Sequence, residues 1–389
     1  MVVTEVKSKS DAREFLLLPV RLYKDTPTWI RPLDKDVESV FDPEKNKAFR
    51  DGECTRWILR DDQGVTIGRV AAFILRKTVN RGNDQPTGGM GFFECINSQE
   101  VAFRLFDTCK AWLMERGMEA MDGPINFGSR EKWWGLLVEG FDQEPNYQCN
   151  YNFPYYRSFF ESYGYKTYFE QLTYSRGIMD PLAERLAHKA RLLADDKDYV
   201  FRKLERRELG LLPELIRQVY NKAWANRAEN PELTSAQAKL LVKQMKPILD
   251  FRLLWFGFYK NEPIAFFLSL PEVNQWFKHV NGSLNGLGIL KFLWAKLFIP
   301  NRKAFGILFG VVPEHQGTGA DGALIMEARK VFQSGTLPYT HYEMNWIGDF
   351  NPKMIQVVEQ VGGYVGKRHI TFRKLFDETK TFRRHPMLS

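Results

Sequence analysis

The chain has 389 residues, of which 44% are hydrophobic and 26% are charged, and its formal net charge is +8. A chain of this length can bury more than one hydrophobic core, and chains of this size tend to divide into two domains. No apolar run reaches the roughly 18 residues that span a bilayer, and the start MVVTEVKSKSDAREF lacks the apolar segment of a signal peptide. Composition therefore excludes a transmembrane helix or a secreted chain and predicts an intracellular protein.

The cysteines and the net charge indicate which cofactors and partners to expect. Cys54, Cys95, Cys109 and Cys149 lie far apart without a CxxC pair, which argues against a disulfide framework or a zinc site and predicts no metal. The positive charge suits a polyanionic cofactor or an anionic membrane surface. No nucleic-acid-binding motif is present, so we expect no nucleic acid partner.

The first half of the chain alternates strands and helices. The predicted helices begin at about Ser10 and Ser98, and the second of these ends at Gly117, where a C-terminal glycine is typical. The segment 151–176 is predicted to form the last helix of this half and then its closing strand. The other predicted strands lie at 2–6, 55–61, 65–75, 88–96 and 120–127.

A charged helix at about 181–196 leads to a second half that repeats this order. The second half begins with two helices and a pair of strands. A strand then runs into a glycine turn and a helix, and a further strand, a helix and a closing strand follow. The repeat of roughly 180 residues is far longer than the 20 to 50 of solenoid proteins, and it indicates a divergent internal duplication.

The stretch from Lys303 to Gly335 is the most informative in the second half. Apolar residues from Phe305 to Val312 predict a central strand buried on both faces, and Pro313 ends it. The turn Gln316-Gly317-Thr318-Gly319 then leads into a helix. A glycine-rich turn at a helix start directs backbone N–H groups and the positive end of the helix dipole at one point, which suits a phosphate group. An ordinary strand-to-helix turn is the alternative.

The segment VVPEHQGTGADGALI resembles the Q/R-x-x-G-x-G/A loop of the GNAT acyl-CoA N-acyltransferases. Gln316, Gly317 and Gly319 match that loop, whereas Asp321 stands where Gly or Ala is usual and would repel a phosphate unless it points away. The segments SFFESYGY and QVVEQVGGY, at the ends of the two halves, also resemble the helix-glycine end of GNAT domains. GPINFGSREKWWGLLVEGFD and EMNWIGDFNPKM look more narrowly like a tandem GNAT-like family that includes bacterial ceramide synthases.

This resemblance implies a mixed α/β fold of two GNAT-like domains, each a twisted, mostly antiparallel sheet flanked by helices. We expect an N-terminal domain at 1–177, a linker helix at 178–197 and a C-terminal domain at 198–389. The first copy has Asn97, Ser98, Gln99 and Glu100 where the glycine turn should be, so the second copy is expected to bind the cofactor.

The resemblance also implies coenzyme A or acyl-CoA as co-substrate. Its expected ligands are backbone or side-chain groups of Phe309, Gly310, Val311, Val312, Gln316, Gly317, Thr318, Gly319, Ala320 and Asn351.

An amine acceptor must lose a proton before it attacks the acyl group. His341, Glu343 and Asn345 alternate with apolar residues on one strand, which places them on one face, and we select them as catalytic candidates with Glu343 as the base. A solvated or hydrogen-bonded strand face is the alternative. His315 is a further candidate for the base, and Glu94, Asp122 and Asn126 are candidates for the acceptor site.

GNAT enzymes often use a tyrosine in the last helix as the acid for the leaving thiolate. The matching positions here are Val358 and Phe160, so neither half keeps that tyrosine.

The insertion from about 271 to 303 contains an apolar run at 284–300 that Lys291 and Lys296 interrupt. It predicts either a cap on the core, a lid over a long acyl chain, or an interfacial helix with lysines at lipid headgroups.

The resemblance thus implies an N-acyltransferase that moves an acyl group from a coenzyme A thioester to an amine, and we expect it to be cytoplasmic. Peripheral contact with a membrane and a long-chain sphingoid-type amine as acceptor are further expectations. A catalytically inactive tandem GNAT fold that binds a ligand or a partner is the alternative.

Overall fold

The computed structural model describes residues 1–80, 82–193, 195–224 and 232–388, except for the side chain of Asn345. Within these ranges the backbone forms a 13-stranded sheet with the order β1-β2-β3-β4-β5-β13-β7-β12-β11-β10-β9-β8, and β6 pairs with β13 beside this path. The strands are β1 (Val2–Glu5), β2 (Gly52–Arg60), β3 (Thr66–Leu75), β4 (Thr87–Cys95), β5 (Ala120–Gly123), β6 (Leu136–Glu139), β7 (Lys166–Gly177), β8 (Tyr199–Lys203), β9 (Leu254–Tyr259), β10 (Glu262–Pro271), β11 (Lys303–Val311), β12 (His341–Gly348) and β13 (Tyr364–Leu375).

Helices cover the sheet. They are α1 (Lys9–Leu22), α2 (Asp34–Val40), α3 (Arg76–Val79), α4 (Gln99–Met114), α5 (Tyr156–Ser162), α6 (Glu184–Arg191), α7 (Leu212–Trp224), α8 (Ser235–Met245), α9 (Asn274–Phe277), α10 (Gly286–Phe298), α11 (Ala320–Phe332) and α12 (Pro352–Gln360). Short 3-10 turns lie at Lys47–Arg50, Arg206–Glu208, Lys246–Ile248, Phe251–Leu253 and Pro313–His315. No helix in the described ranges is long and apolar enough to cross a bilayer.

The two halves repeat one pattern. In each, a strand leads through a helix to a parallel neighbour: β4 and α4 lead to β5, and β11 and α11 lead to β12. The remaining pairings in the sheet are antiparallel. The predicted class, a mixed α/β protein with mostly antiparallel strands, is confirmed.

The last strand of each half lies between strands of the other half. Strand β7 pairs with β12 on one side and with β13 on the other, and β13 pairs with β5 and β7. The sheet is therefore continuous through both halves. The division at 177 and 198 stays a prediction, because this exchange places part of each half within the other.

The exchange also mixes the two hydrophobic cores. Phe372 on β13 comes from the second half, yet it packs in the core of the first half with Cys95, Cys109 and Phe160. Its ring centroid lies 5.3 Å from that of Phe160.

One strand is shorter than predicted. The segment 120–127 forms a strand only as far as Gly123. Pro124 follows, and because proline has no N–H to donate, it ends the ladder at that point.

We expect Phe372→Ala to destabilise the first half although the residue belongs to the second. Truncating a fully buried phenylalanine lowers the free energy of unfolding by about 3–5 kcal/mol, and thiol labelling of Cys95 and Cys109 under native conditions should accelerate. Val365→Ala, on the same strand but packed against Leu172 and Val358, serves as the control. Unchanged labelling of the two cysteines in Phe372→Ala would show that the first core is independent of β13.

Candidate active site

Strands β11 and β12 diverge and leave a cleft between them. They pair from Lys303 with His341 to Gly306 with Met344. In the described register, no residue from Leu308 onward pairs with β12. Ile307 is an extra residue opposite β10, which makes a β-bulge at the point of divergence.

The prediction that this strand is buried on both faces is wrong. Residues 305–310 are only half-buried. The reason is the divergence, which removes the neighbouring strand and exposes one edge of β11. Backbone groups along that edge, including those of Phe309, Gly310 and Val311, are free of β12 and remain predicted cofactor ligands.

The glycine turn sits at the open end of the cleft. Gly317 and Gly319 have φ values of +80° and +103°, in the region that favours glycine. The Gln316 side chain donates from Nε2 to the Val311 carbonyl at 2.9 Å, and Thr318 Oγ1 donates to the His315 carbonyl at 2.8 Å. These two side chains stabilise the turn itself.

The turn presents a row of backbone donors. Residues 316–319 form a hydrogen-bonded turn, yet none of the six amide N–H groups from 317 to 322 makes a short, well-aligned hydrogen bond to an acceptor among the described residues. They lie at the N-terminus of α11, a helix of 13 residues, where the helix dipole adds partial positive charge. An anion such as a phosphate group would satisfy these donors.

Helix α6 packs directly against one side of this turn. A Cβ atom on Gly319 would lie 2.4 Å from the Lys189 carbonyl oxygen, and one on Gly322 would lie 2.7 Å from the Lys189 Cβ. These two glycines therefore allow close packing of the two helices. A Cβ atom on Gly317 would meet nothing within 4 Å, so that part of the turn is open.

Asp321 does not present a free carboxylate to the turn. Its Oδ2 lies 2.7 Å from Lys189 Nζ on α6. This ion pair offsets the negative charge that the sequence places beside the predicted phosphate site, so the departure from the GNAT loop is compensated by a residue far away in sequence.

Glu343 lies on β12 in a buried cluster of charges. Its carboxylate accepts from Lys367 Nζ at 2.8 Å and from Asn146 Nδ2 at 2.6 Å, and it pairs with Lys303 Nζ at 2.7 Å. The side chain is 4% exposed. Glu343 is therefore not solvated, and its contacts agree with the alternative of a hydrogen-bonded strand face.

The surroundings of Glu343 decide its protonation. Burial would raise the pKa of this carboxyl, but Lys367 and Lys303 outweigh burial and lower the pKa to about 2. A carboxylate this acidic is a weak proton acceptor at neutral pH. Its role as the base stays a prediction, and the low pKa argues against it.

The other candidates are scattered. His341 is exposed, and its Nδ1 lies 2.9 Å from Thr340 Oγ1. The Asn345 side chain lies outside the described residues. The Asn351 side chain caps α12 by accepting from the Met354 N–H at 3.3 Å, and His315 Nδ1 lies 2.7 Å from the Tyr199 hydroxyl.

Comparison with known proteins supplies the family context for this cleft. No known protein-family model matches the sequence. The chain is 27% identical over 380 residues to a protein named bacterial ceramide synthase from Caulobacter vibrioides, and this match covers 96% of the chain and 97% of the relative. It is also 27% identical to the protein YghO of Escherichia coli, over 94% of the chain and 93% of that protein.

Solved structures show the same architecture. A tandem GNAT protein from the clavulanic acid biosynthesis pathway matches with a TM-score of 0.51 and 11% identity, over 96% of this chain and 98% of that one. The chain has a tandem GNAT fold. A GCN5-related glucosamine N-acetyltransferase region of a fungal multi-domain β-N-acetylglucosaminidase matches with a TM-score of 0.54 and 11% identity, over 96% of this chain and 38% of that one. The resemblance inferred from the sequence is confirmed.

The first half of the tandem GNAT fold has no comparable turn. Ser98 caps α4 by accepting from the Val101 N–H at 3.4 Å. Stacked rings of Phe93 and Phe106, 4.7 Å apart, and the ring of Phe160 fill the space under this helix. A cavity of the first half is lined by Phe92, Phe93 and Glu94 of β4, beyond the point where β4 pairs with β5, so the aromatic packing does not fill this region completely.

The acceptor-site candidates of the first half all have structural partners or are buried. Glu94 Oε2 accepts from the hydroxyls of Tyr23 at 2.6 Å and Tyr156 at 2.9 Å. Asp122 makes a two-point ion pair with Arg373 of β13, at 2.6 and 2.8 Å. Asn126 is buried, and its Oδ1 has no hydrogen-bond partner among the described residues.

A buried carboxylate beside the charged cluster of Glu343 was not among the residues selected from the sequence. Glu272 follows β10, and its Oε1 accepts from the Tyr147 N–H at 2.8 Å, while Oε2 has no partner among the described residues. Burial raises its pKa to about 7 although Lys303 opposes this. No sequence pattern marks Glu272, because its burial depends on a loop more than one hundred residues earlier in the chain.

Glu343→Gln should cost stability. The amide cannot neutralise Lys303 and Lys367, and breaking a buried ion pair costs about 3–5 kcal/mol in free energy of unfolding. Because the folded pKa is lowered, this contribution is present above pH 4.5 and is lost as pH falls towards about 2. Urea denaturation at several pH values measures it. Glu327→Gln, which breaks the exposed pair with Lys330, is the control and should cost less than about 1 kcal/mol; equal losses would contradict the buried cluster.

Glu272→Gln should change the pH dependence of stability in the sense opposite to that of Glu343→Gln. The folded state holds the Glu272 proton up to about pH 7, whereas the unfolded chain releases it near 4.5, so wild-type stability falls as pH rises through this window. The free energy of unfolding of the variant minus that of the wild type should therefore rise by roughly 3 kcal/mol as pH increases through this window. A difference between the two proteins that does not vary with pH would show that Glu272 titrates normally.

Proposed function

We propose that this protein is an N-acyltransferase that transfers an acyl group from a coenzyme A thioester to an amine. The observation that carries the proposal is the row of six unsatisfied amide N–H groups at the open end of the cleft between β11 and β12. The names of the bacterial ceramide synthase and of the glucosamine N-acetyltransferase region support it.

The residues present fit coenzyme A. The N–H groups from 317 to 322 would hold its pyrophosphate, with the charge of Asp321 already offset by Lys189. The edge of β11 that β12 leaves open, from Phe309 to Val311, would pair with its amide groups in the manner of an added strand, and the Val311 carbonyl on this edge also accepts from Gln316. When bound, the thioester supplies an activated acyl group.

The proton of the amine needs an acceptor with a pKa near neutrality. Glu272 has that pKa and an oxygen without a hydrogen-bond partner among the described residues. We therefore propose Glu272 as the proton acceptor and Glu343 as the anion that keeps Lys303 and Lys367 in place. Glu343 remains the alternative base, to be compared by the glutamine variants of both residues in a transfer assay.

The positions that match the tyrosine acid of GNAT enzymes are hydrophobic and buried. Val358 and Phe160 are 1% and 0% exposed. A thiolate with a pKa near 8.5 can leave with a proton from water, so these positions do not prevent transfer.

For the acceptor we propose a lipid amine, since the relative named ceramide synthase matches over nearly the whole chain. One observation favours a second candidate, a binding protein without catalysis: helix α6 packs on Gly319 and Gly322, at one side of the turn that would hold the phosphates.

We expect coenzyme A to raise the melting temperature of the wild type, and acyl-CoA with an amine to release free thiol. Gly317→Asp should raise the dissociation constant of coenzyme A by about tenfold or more, because a carboxylate would then face the predicted pyrophosphate. Calorimetric titration measures the binding.

Gly317→Asn is the matched control, since asparagine has the same shape, tolerates the same left-handed backbone and carries no charge. Equal affinities in the two variants would exclude this turn as the phosphate site. Binding of coenzyme A without release of thiol from acyl-CoA in the presence of any amine would favour the non-catalytic candidate.

A further inference from the structure

Helix α10 belongs to a segment without negative charge. From 273 to 313 the sequence contains no aspartate or glutamate, while Lys278, Lys291, Lys296, Arg302 and Lys303 supply positive charge. The helix itself, Gly286–Phe298, is apolar except for Lys291 and Lys296. Neither the fold nor the proposed cofactor site accounts for this composition.

The apolar side chains of α10 point outward. Only Gly288 and Ala295 are buried, and Phe292 packs against Trp276 and Phe277 of the neighbouring turn. Seven large apolar side chains are exposed, among them Leu287 at 71% and Leu297 at 76%; the others are Ile289, Leu290, Leu293, Trp294 and Phe298. The expectation that this segment caps the core is therefore wrong for most of the helix.

Basic side chains surround this apolar face. Lys291 and Lys296 are exposed on α10, and the Lys296 ammonium donates to the Pro247 carbonyl. Lys243 and Lys246, on and just after α8, are also exposed, and Lys246 lines the groove beside α10 together with Lys296. A second copy of this chain would bring these lysines against one another, so self-association through this face is opposed by charge.

We propose that α10 docks the protein on an anionic lipid bilayer. The helix has 13 residues, too few to span a membrane. It is suited to lie parallel to the surface, with its leucines, Trp294 and Phe298 among the acyl chains and its lysines at the headgroup phosphates. Exposure to water of such a face is costly, and a bilayer removes that cost.

The docked face adjoins a groove that reaches a residue in contact with the main chain of Glu272. A groove of about 750 Å³ runs along α10, with Leu297, Phe298, Pro271 and Asn301 in its lining. Asn301 donates from Nδ2 to the Glu272 carbonyl at 2.9 Å. A lipid amine from the bilayer would enter through this groove. That step rests on the proposed function, whereas docking does not.

Sedimentation with vesicles tests the docking without any substrate. The full chain should bind vesicles that contain phosphatidylglycerol and bind phosphatidylcholine vesicles more weakly. Leu290→Ser with Leu297→Ser should lower the partition coefficient about tenfold or more, and Lys291→Gln with Lys296→Gln should lower it about fivefold per lysine. The leucines are exposed, so melting temperatures should stay near the wild-type value.

The control is Met114→Ser with Met179→Ser, which removes exposed apolar side chains outside this segment and should leave binding unchanged. The proposal is overturned by an absence of binding to anionic vesicles, by an equal loss in the control, or by a dimer that depends on Leu290 and Leu297 and does not bind vesicles. Loss of vesicle binding with intact release of thiol from acyl-CoA in the presence of water-soluble amines would separate docking from catalysis.

Discussion

The pairing of β7 with β13 is the constraint on which the rest of the structure depends. Each strand has 12 residues, and the register runs from Tyr364 opposite Ser175 to Arg373 opposite Lys166. Because each strand also pairs with the other half, the halves share one sheet. The core of the first half is not complete without β13, which contributes Ile370 and Phe372 to it.

This exchange also builds the charged cluster. Lys367 on β13, Glu343 on β12 and Lys303 on β11 come from the second half. Asn146 comes from a loop of the first half. Buried charges are costly unless they are paired and hydrogen-bonded. The cluster therefore holds several segments in one arrangement, and Glu272 is buried beside it with a raised pKa.

The two halves use the same architecture differently. In the first, a serine-capped helix stands where the second has a glycine turn, and aromatic rings pack under that helix. The second half keeps unsatisfied backbone donors at its helix N-terminus. The two halves thus differ at the start of the helix that links their parallel strands, while the shared sheet joins them.

The sequence by itself determined the elements, the duplication and the glycine turn, because these depend on local chemistry: hydrophobic periodicity, the serine cap at Ser98, and the left-handed backbone of Gly317 and Gly319. It also placed Glu343 on the same strand as His341. Only the tertiary structure decided which strands pair, since contacts between β7 and β13 join residues nearly 200 positions apart. The low pKa of Glu343, the raised pKa of Glu272, the packing of α6 on Gly319 and the exposure of α10 follow from such distant contacts. Burial and charge neighbours are properties of the folded arrangement, and no local pattern encodes them.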